Sequence, residues 1–130
     1  NTNTSTSTAT TTSSSSGAAV GASVSVGSAK TVTVTYSAST GFSPKSVTVN
    51  KGDTIKFVSE NGQMWVAGDE HPSHTEYDGT SRQEHCATVP SASFDQCSSG
   101  TSYSFTFTKA GTFDYHNHVA SSQVGVVIVK

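Results

Sequence analysis

Phe113, Tyr115 and Asn117 alternate with Asp114, His116 and His118 along Gly111–Gly125. A period of two is the mark of an extended strand, whose successive side chains point to opposite faces. The large aromatics claim the buried face, which leaves His116 and His118 together on the other, with backbones about 7 Å apart. The same period recurs upstream. Lys30–Tyr36 alternates Val with Thr, Lys45–Asn50 carries Val47 and Val49, Thr54–Ser59 turns Ile55 and Phe57 inward, and Ser102–Thr108 alternates aromatics with Ser and Thr. Gln63–Ala67 reads as a short apolar strand and Val124–Lys130 as the last one, with no helical period anywhere. Between them lie Ser37–Ser43, Asn50–Asp53 (read as a hairpin turn), Glu60–Gly62 and Lys109–Gly111, all rich in turn residues. Short strands at this spacing predict an all-β sandwich or barrel.

Two regions escape the pattern. Residues 1–29 hold almost nothing but Ser, Thr, Ala, Gly, Val and Asn, without a charge or an aromatic. Such a segment cannot bury enough apolar surface to offset its ordering entropy, so a disordered tail over 1–29 and a domain over 30–130 are expected. As a flexible coil the tail would span roughly 30 Å, which suits either a lipid-anchored stalk or an untethered terminus. The second region, Gly68 to Gly100, is far longer than a compact domain tolerates unless the loop is functional or stapled. It contains both cysteines, Cys86 and Cys97. They can be a disulfide, metal thiolates or free buried thiols; their spacing is too long for a thiolate knuckle and favours the disulfide. A disulfide implies an extracytoplasmic, oxidising setting: periplasm, cell surface or medium.

A formal net charge of −2 with no basic cluster speaks against nucleic-acid partners. No apolar run is long enough to span a bilayer as a helix.

Four of the five histidines fall in two short clusters, His71-Pro72-Ser73-His74 and His116-Asn117-His118. A His-x-His pair on a strand offers two imidazoles to one ion, and a second pair from the long loop completes a candidate metal site at His71, His74, His116 and His118. Pro72 keeps its segment out of helix. His85 reads as a bystander, Asp69, Glu70 and Asp114 as solvated carboxylates, and Trp65 and Tyr115 as core aromatics. Imidazoles without sulfur suit Cu(II) first and Zn(II) second. If Tyr115 and Asn117 face the core, His116 and His118 lie on the outer surface, covered either by the long loop or by a second subunit of a homo-oligomer.

Over Lys30 to Lys130 the chain resembles the cupredoxin family. The resemblance is carried by Phe42-Ser-Pro-Lys-Ser-Val-Thr-Val-Asn-Lys-Gly-Asp-Thr-Ile-Lys-Phe57 and by Gly111-Thr-Phe-Asp-Tyr-His-Asn-His118. His71-Pro-Ser-His74 is similar to the His-Pro-x-His segment of multicopper oxidases. The resemblance implies a cupredoxin-like Greek-key β-sandwich of about seven to eight strands with one long disulfide-stapled loop, and it implies copper. It also implies departures. Asn117 stands where the family carries its copper-binding Cys, and Gln123 lies near the place of the axial Met. A blue centre requires a thiolate, so a non-blue, histidine-only mononuclear site is expected.

Two functional classes follow. One is a copper-binding protein that handles the ion or exchanges electrons with a redox or copper-delivery partner. The other is a small copper enzyme acting on an oxygen or nitrogen species. A metal-free adhesion module is the third reading. No nucleophile–base pair or carboxylate dyad stands out for metal-free catalysis.

Overall fold

The structure, a computed structural model, describes residues 29–130. The tail expected over residues 1–29 therefore lies, but for its last residue, outside the described residues. Among the described residues eight strands form: β1 (Thr31–Ser37), β2 (Gly41–Ser43), β3 (Ser46–Val49), β4 (Thr54–Asn61), β5 (Val66–Gly68), β6 (Ser102–Thr106), β7 (Gly111–Asn117) and β8 (Ala120–Val129). They make two four-stranded sheets, ordered β2-β1-β4-β6 and β3-β8-β7-β5. Both sheets are mixed, since β1 runs parallel to β4 and β3 parallel to β8. The expected β-sandwich is the fold observed.

The alternating pattern explains which faces meet. Val34 and Tyr36 of β1, Ile55 and Phe57 of β4, and Phe105 of β6 are buried from one side. Val47 and Val49 of β3, Phe113 and Tyr115 of β7, and Val127 and Val129 of β8 meet them from the other. Four rings interlock at the centre. Phe42 and Phe57 both stand edge-on to Tyr115, at centroid distances of 5.0 and 5.3 Å, and Phe94 meets Tyr115 at 5.7 Å. Edge-to-face pairs of this kind add about 0.5–1.5 kcal/mol each beyond the area they bury.

Three sequence expectations are corrected here. Asn50–Asp53 is a turn but not a hairpin turn, because β3 and β4 belong to different sheets. Its shape comes from Asp53, whose carboxylate accepts from the backbone of Asn50 and Lys30, each at 2.9 Å. Gly41–Ser43, read as turn, pairs with β1 as a short edge strand. The third correction is a one-turn helix, α1 (Arg82–His85), inside the long loop. Ser81 accepts from the Glu84 amide while the Glu84 carboxylate accepts from the Ser81 amide, a capping box legible in Ser-Arg-Gln-Glu. Among the described residues no helix is long and apolar enough to cross a membrane.

The long loop is stapled as expected. Cys86 and Cys97 form a disulfide that closes an eleven-residue separation. In the chain-entropy account such a ring is worth about 3 kcal/mol, so Cys86→Ser/Cys97→Ser should lose roughly that much in urea unfolding. Gly125 is a second sensitive point. It lies directly opposite Tyr115, and a Cβ there would sit 2.3 Å from the phenol oxygen and 2.4 Å from Cζ. Gly125→Ala should cost about 1–3 kcal/mol, the usual penalty for overpacking. Among the described residues the buried Tyr115 hydroxyl has no hydrogen-bond partner. Tyr115→Phe should therefore stabilise the protein by about 1 kcal/mol, because it removes an unpaired polar group.

Candidate metal centre

His116 sits on β7, opposite Ala67 on one side and Val124 on the other. The strand turns immediately afterwards: Asn117 pairs with Ala120, leaving His118 and Val119 as the two residues of the β7–β8 hairpin loop. His118 is anchored there by its amide, which donates to the Trp65 carbonyl at 2.7 Å. Its ring lies against the Trp65 indole, 4.3 Å between centroids.

The loop brings the other pair across. The His74 amide donates to the Glu70 carbonyl at 2.7 Å, and His74 adopts φ 58°. That left-handed conformation costs a residue with a Cβ about 1–2 kcal/mol, and it is the kind of strain that collects at functional sites. His71, His74, His116 and His118 end with one ring nitrogen each inside a cluster no wider than 4.8 Å. His74 and His116 are buried, His118 is half-buried and His71 is exposed. Asp69, His71 and His74 of the loop lie against His116, which is 2% exposed.

Two carboxylates fix what the rings present. Asp69 lies 2.6 Å from His116 Nδ1, and Asp95 lies 2.7 Å from His74 Nδ1. A carboxylate accepts, so both Nδ1 atoms carry the proton and both Nε2 atoms keep a lone pair. Yet the two Nε2 atoms face each other at 3.2 Å, and His118 Nδ1 lies 3.0 Å from His74 Nε2. Neutral His74 and His116 cannot hydrogen-bond to one another in that state. Nitrogens at such spacing match neighbouring ligands of one ion: bonds of about 2.0–2.1 Å place adjacent nitrogens about 2.9–3.4 Å apart.

All four histidines named from the sequence are thus brought together, and His85 is not among them. His85 instead points Nε2 at Asp95, 2.7 Å away, while Nδ1 faces Thr80. Of the three carboxylates read as solvated, Glu70 and Asp114 are exposed, but Asp69 is bonded to His116. Trp65 is not a core residue: it is half-buried, flanks His118, and donates Nε1 to Asp95 at 2.8 Å. Asp95 is the site residue that sequence reasoning missed. Its only advance signal was an acidic residue two positions before Cys97, and nothing in the spacing tied it to His74 and His85, 21 and 10 residues upstream.

The family described as copper binding proteins of the plastocyanin/azurin type matches residues 22–130. The chain belongs to this cupredoxin family. Solved structures agree on the fold. The reduced form of an amicyanin variant matches with a TM-score of 0.56 at 20% identity, over 77% of this chain and 82% of that one. A purple cupredoxin from Nitrosopumilus maritimus matches at 0.54 and 12%, over 76% and 99%. A variant plastocyanin of a fern matches at 0.53 and 17%, over 76% and 100%. Comparison with curated proteins gives no match.

Within this cupredoxin, Asn117 and Gln123 are already committed to hydrogen bonds. Asn117 Oδ1 accepts from the amides of Trp65 (2.9 Å) and Val119 (3.2 Å), while Nδ2 donates to Tyr36 Oη and Gln123 Oε1. Gln123 Oε1 also accepts from Tyr36 Oη at 2.8 Å. The Asn117 amide is therefore a structural tie between β1, β8, the run into β5 and the hairpin loop that carries His118.

Burial first, then the neighbouring imidazoles of His74 and His71 and the charge of Arg82, hold His118 down at about 4. Burial also lowers His116, against the opposing pull of Asp69. Asp95 behaves differently: burial alone would raise it, but the donors His74, His85, Trp65 and the Cys97 amide hold it at about 2. An unfolded histidine protonates near about 6.5, so between about 6.5 and 4 the unfolded chain binds more protons than the folded one. The unfolding free energy of metal-free protein should fall as pH drops through that window. His118→Phe should flatten the fall, as read by urea titrations at several pH values. The contribution of Asp95 is present above its unfolded value of about 3.9 and is lost only as pH falls towards 2.

Proposed function

We propose that this cupredoxin is an extracytoplasmic copper protein that holds one non-blue Cu(II). His74 Nε2, His116 Nε2 and His118 Nδ1 would bind it, with His71 as the fourth, exposed ligand. The observation that carries the reading is the pair of lone-pair-bearing Nε2 atoms facing each other at 3.2 Å. Left without a cation between them they repel; a dication makes the same arrangement favourable. The donor set fits the ion, because imidazole suits copper and, second, zinc.

The chain's own residues do the holding. β7 and its hairpin supply His116 and His118 from a hydrogen-bonded frame, and the stapled loop lowers His74 onto them. Asp69 fixes the ring of His116, so a nitrogen is presented rather than a proton. When bound, the ion supplies Lewis acidity and a one-electron couple. With Asn117 as a hydrogen-bonded amide and no thiolate in reach, the strong sulfur-to-copper absorption of a blue centre has no source. The function supported is copper handling, or electron exchange with a redox or copper-delivery partner. The Cys86–Cys97 disulfide supports an oxidising compartment.

Purified protein loaded with Cu(II) should bind one copper per chain. It should show weak ligand-field absorption and a wide copper hyperfine splitting, without an intense blue band. His116→Ala/His118→Ala should abolish tight binding. An intense blue colour, or copper affinity unchanged in the double variant, would overturn the reading.

A further inference from the structure

Asp95 lies outside the four imidazoles, yet it bonds one of them, His74, and the bystander His85 as well. Its Oδ2 accepts from His74 Nδ1 and from His85 Nε2, both at 2.7 Å. Its Oδ1 accepts from Trp65 Nε1 at 2.8 Å and from the Cys97 amide at 2.9 Å. Trp65 in turn carries the ring of His118, 4.3 Å away. The carboxylate thus sets the rotation and tautomer of His74 directly, and it holds in place the indole that flanks His118. It is itself held: Cys97, two residues on, is joined to Cys86, the residue after His85.

His74, His85 and Asp95 are close enough to hold an ion of their own. The distances favour hydrogen bonds instead. Separations of 2.7 Å are those of an imidazole N–H donating to a carboxylate, and four donors already occupy both oxygens. No lone pair faces another here, in contrast to the facing nitrogens of the four-histidine cluster.

We infer that Asp95 is the positioning and charge-balancing residue of the copper site: it holds His74 as the Nδ1–H tautomer and supplies the buried negative charge that favours Cu(II) over Cu(I). The inference rests on the copper reading above. Its physical basis is that a carboxylate one imidazole away from the ion attracts the dication more strongly than the monocation. The attraction is largest where water is excluded. The Asp95 side chain is fully buried beside a fully buried His74. The Asp69 side chain is 35% exposed, so solvent screens its charge and its share is smaller.

The test compares wild-type protein with Asp95→Asn and Asp69→Asn, which keep side-chain shape and remove the charge. Cu(II) and Cu(I) affinities are measured by competition with chromophoric chelators, and the reduction potential by redox titration. For Asp95→Asn, Cu(II) affinity should fall about 10–100-fold, the range for loss of such a partner, while Cu(I) affinity falls much less and the potential rises. Asp69→Asn should move in the same direction by less. Equal losses for both oxidation states, with an unchanged potential, would mark Asp95 as merely structural and overturn the inference. Because Asp95→Asn can fail to fold, nitrogen-15 shifts of wild-type, metal-free protein provide a second reading. They should show the Nδ1–H tautomer of His74, and the Nε2–H tautomer would overturn the positioning role. A wild-type chain that binds no copper would sink the copper reading and the charge-balancing role with it, and the tautomer would still decide the positioning role.

Discussion

Asn117 joins, through one buried side chain, β1, β8, the run leading into β5 and the hairpin loop that carries His118. Its oxygen takes the amides of Trp65 and Val119, and its nitrogen reaches Tyr36 on β1 and Gln123 on β8. These contacts tie the two sheets to each other and to the run leading into β5. They also set the hairpin loop that carries His118. A buried amide with its hydrogen bonds made is stable, whereas one left short of partners is costly. The β7 half of the histidine cluster is therefore strongly specified, and the loop that carries His74 is set against it by other contacts.

The sandwich was legible because period-two alternation is a local signal. Val32/Val34, Ile55/Phe57 and Phe113/Tyr115 each announce an inward face without help from distant residues. Strand partnership is not local, which is why the turn at Asn50–Asp53 was recognised and its consequence was not. Turn chemistry fixes a reversal of the chain, but the sheet each flanking strand joins is decided by packing. The parity of β7 placed His116 and His118 on the outer face, and it left open what covers them. Only the fold brings the long loop over that face.

The site divides along the same line. His71, His74, His116 and His118 stood out because a metal site needs several ligands and four of the five histidines cluster in two short segments. Asp95 and Trp65 did not, since a lone Asp and a lone Trp each have a bland reading that is usually right. What makes them part of the site is mutual: Asp95 is held low by donors that include Trp65, His74 and His85. None of those pairs is close in sequence, so no spacing rule could have found them.

The two halves of the histidine cluster come from unlike parts of the molecule. His116 and His118 belong to a strand hairpin, while His71 and His74 belong to a loop whose own closure is the Cys86–Cys97 bond. An ion shared between His74 and His116 would close a second ring in the chain, and the disulfide ring lies wholly inside it. Nested rings couple two chemistries that otherwise have nothing in common. Opening the loop would then mean releasing the ion first, so the coordination bonds would add a lock to a segment otherwise held by Tyr77 and Phe94 in the core.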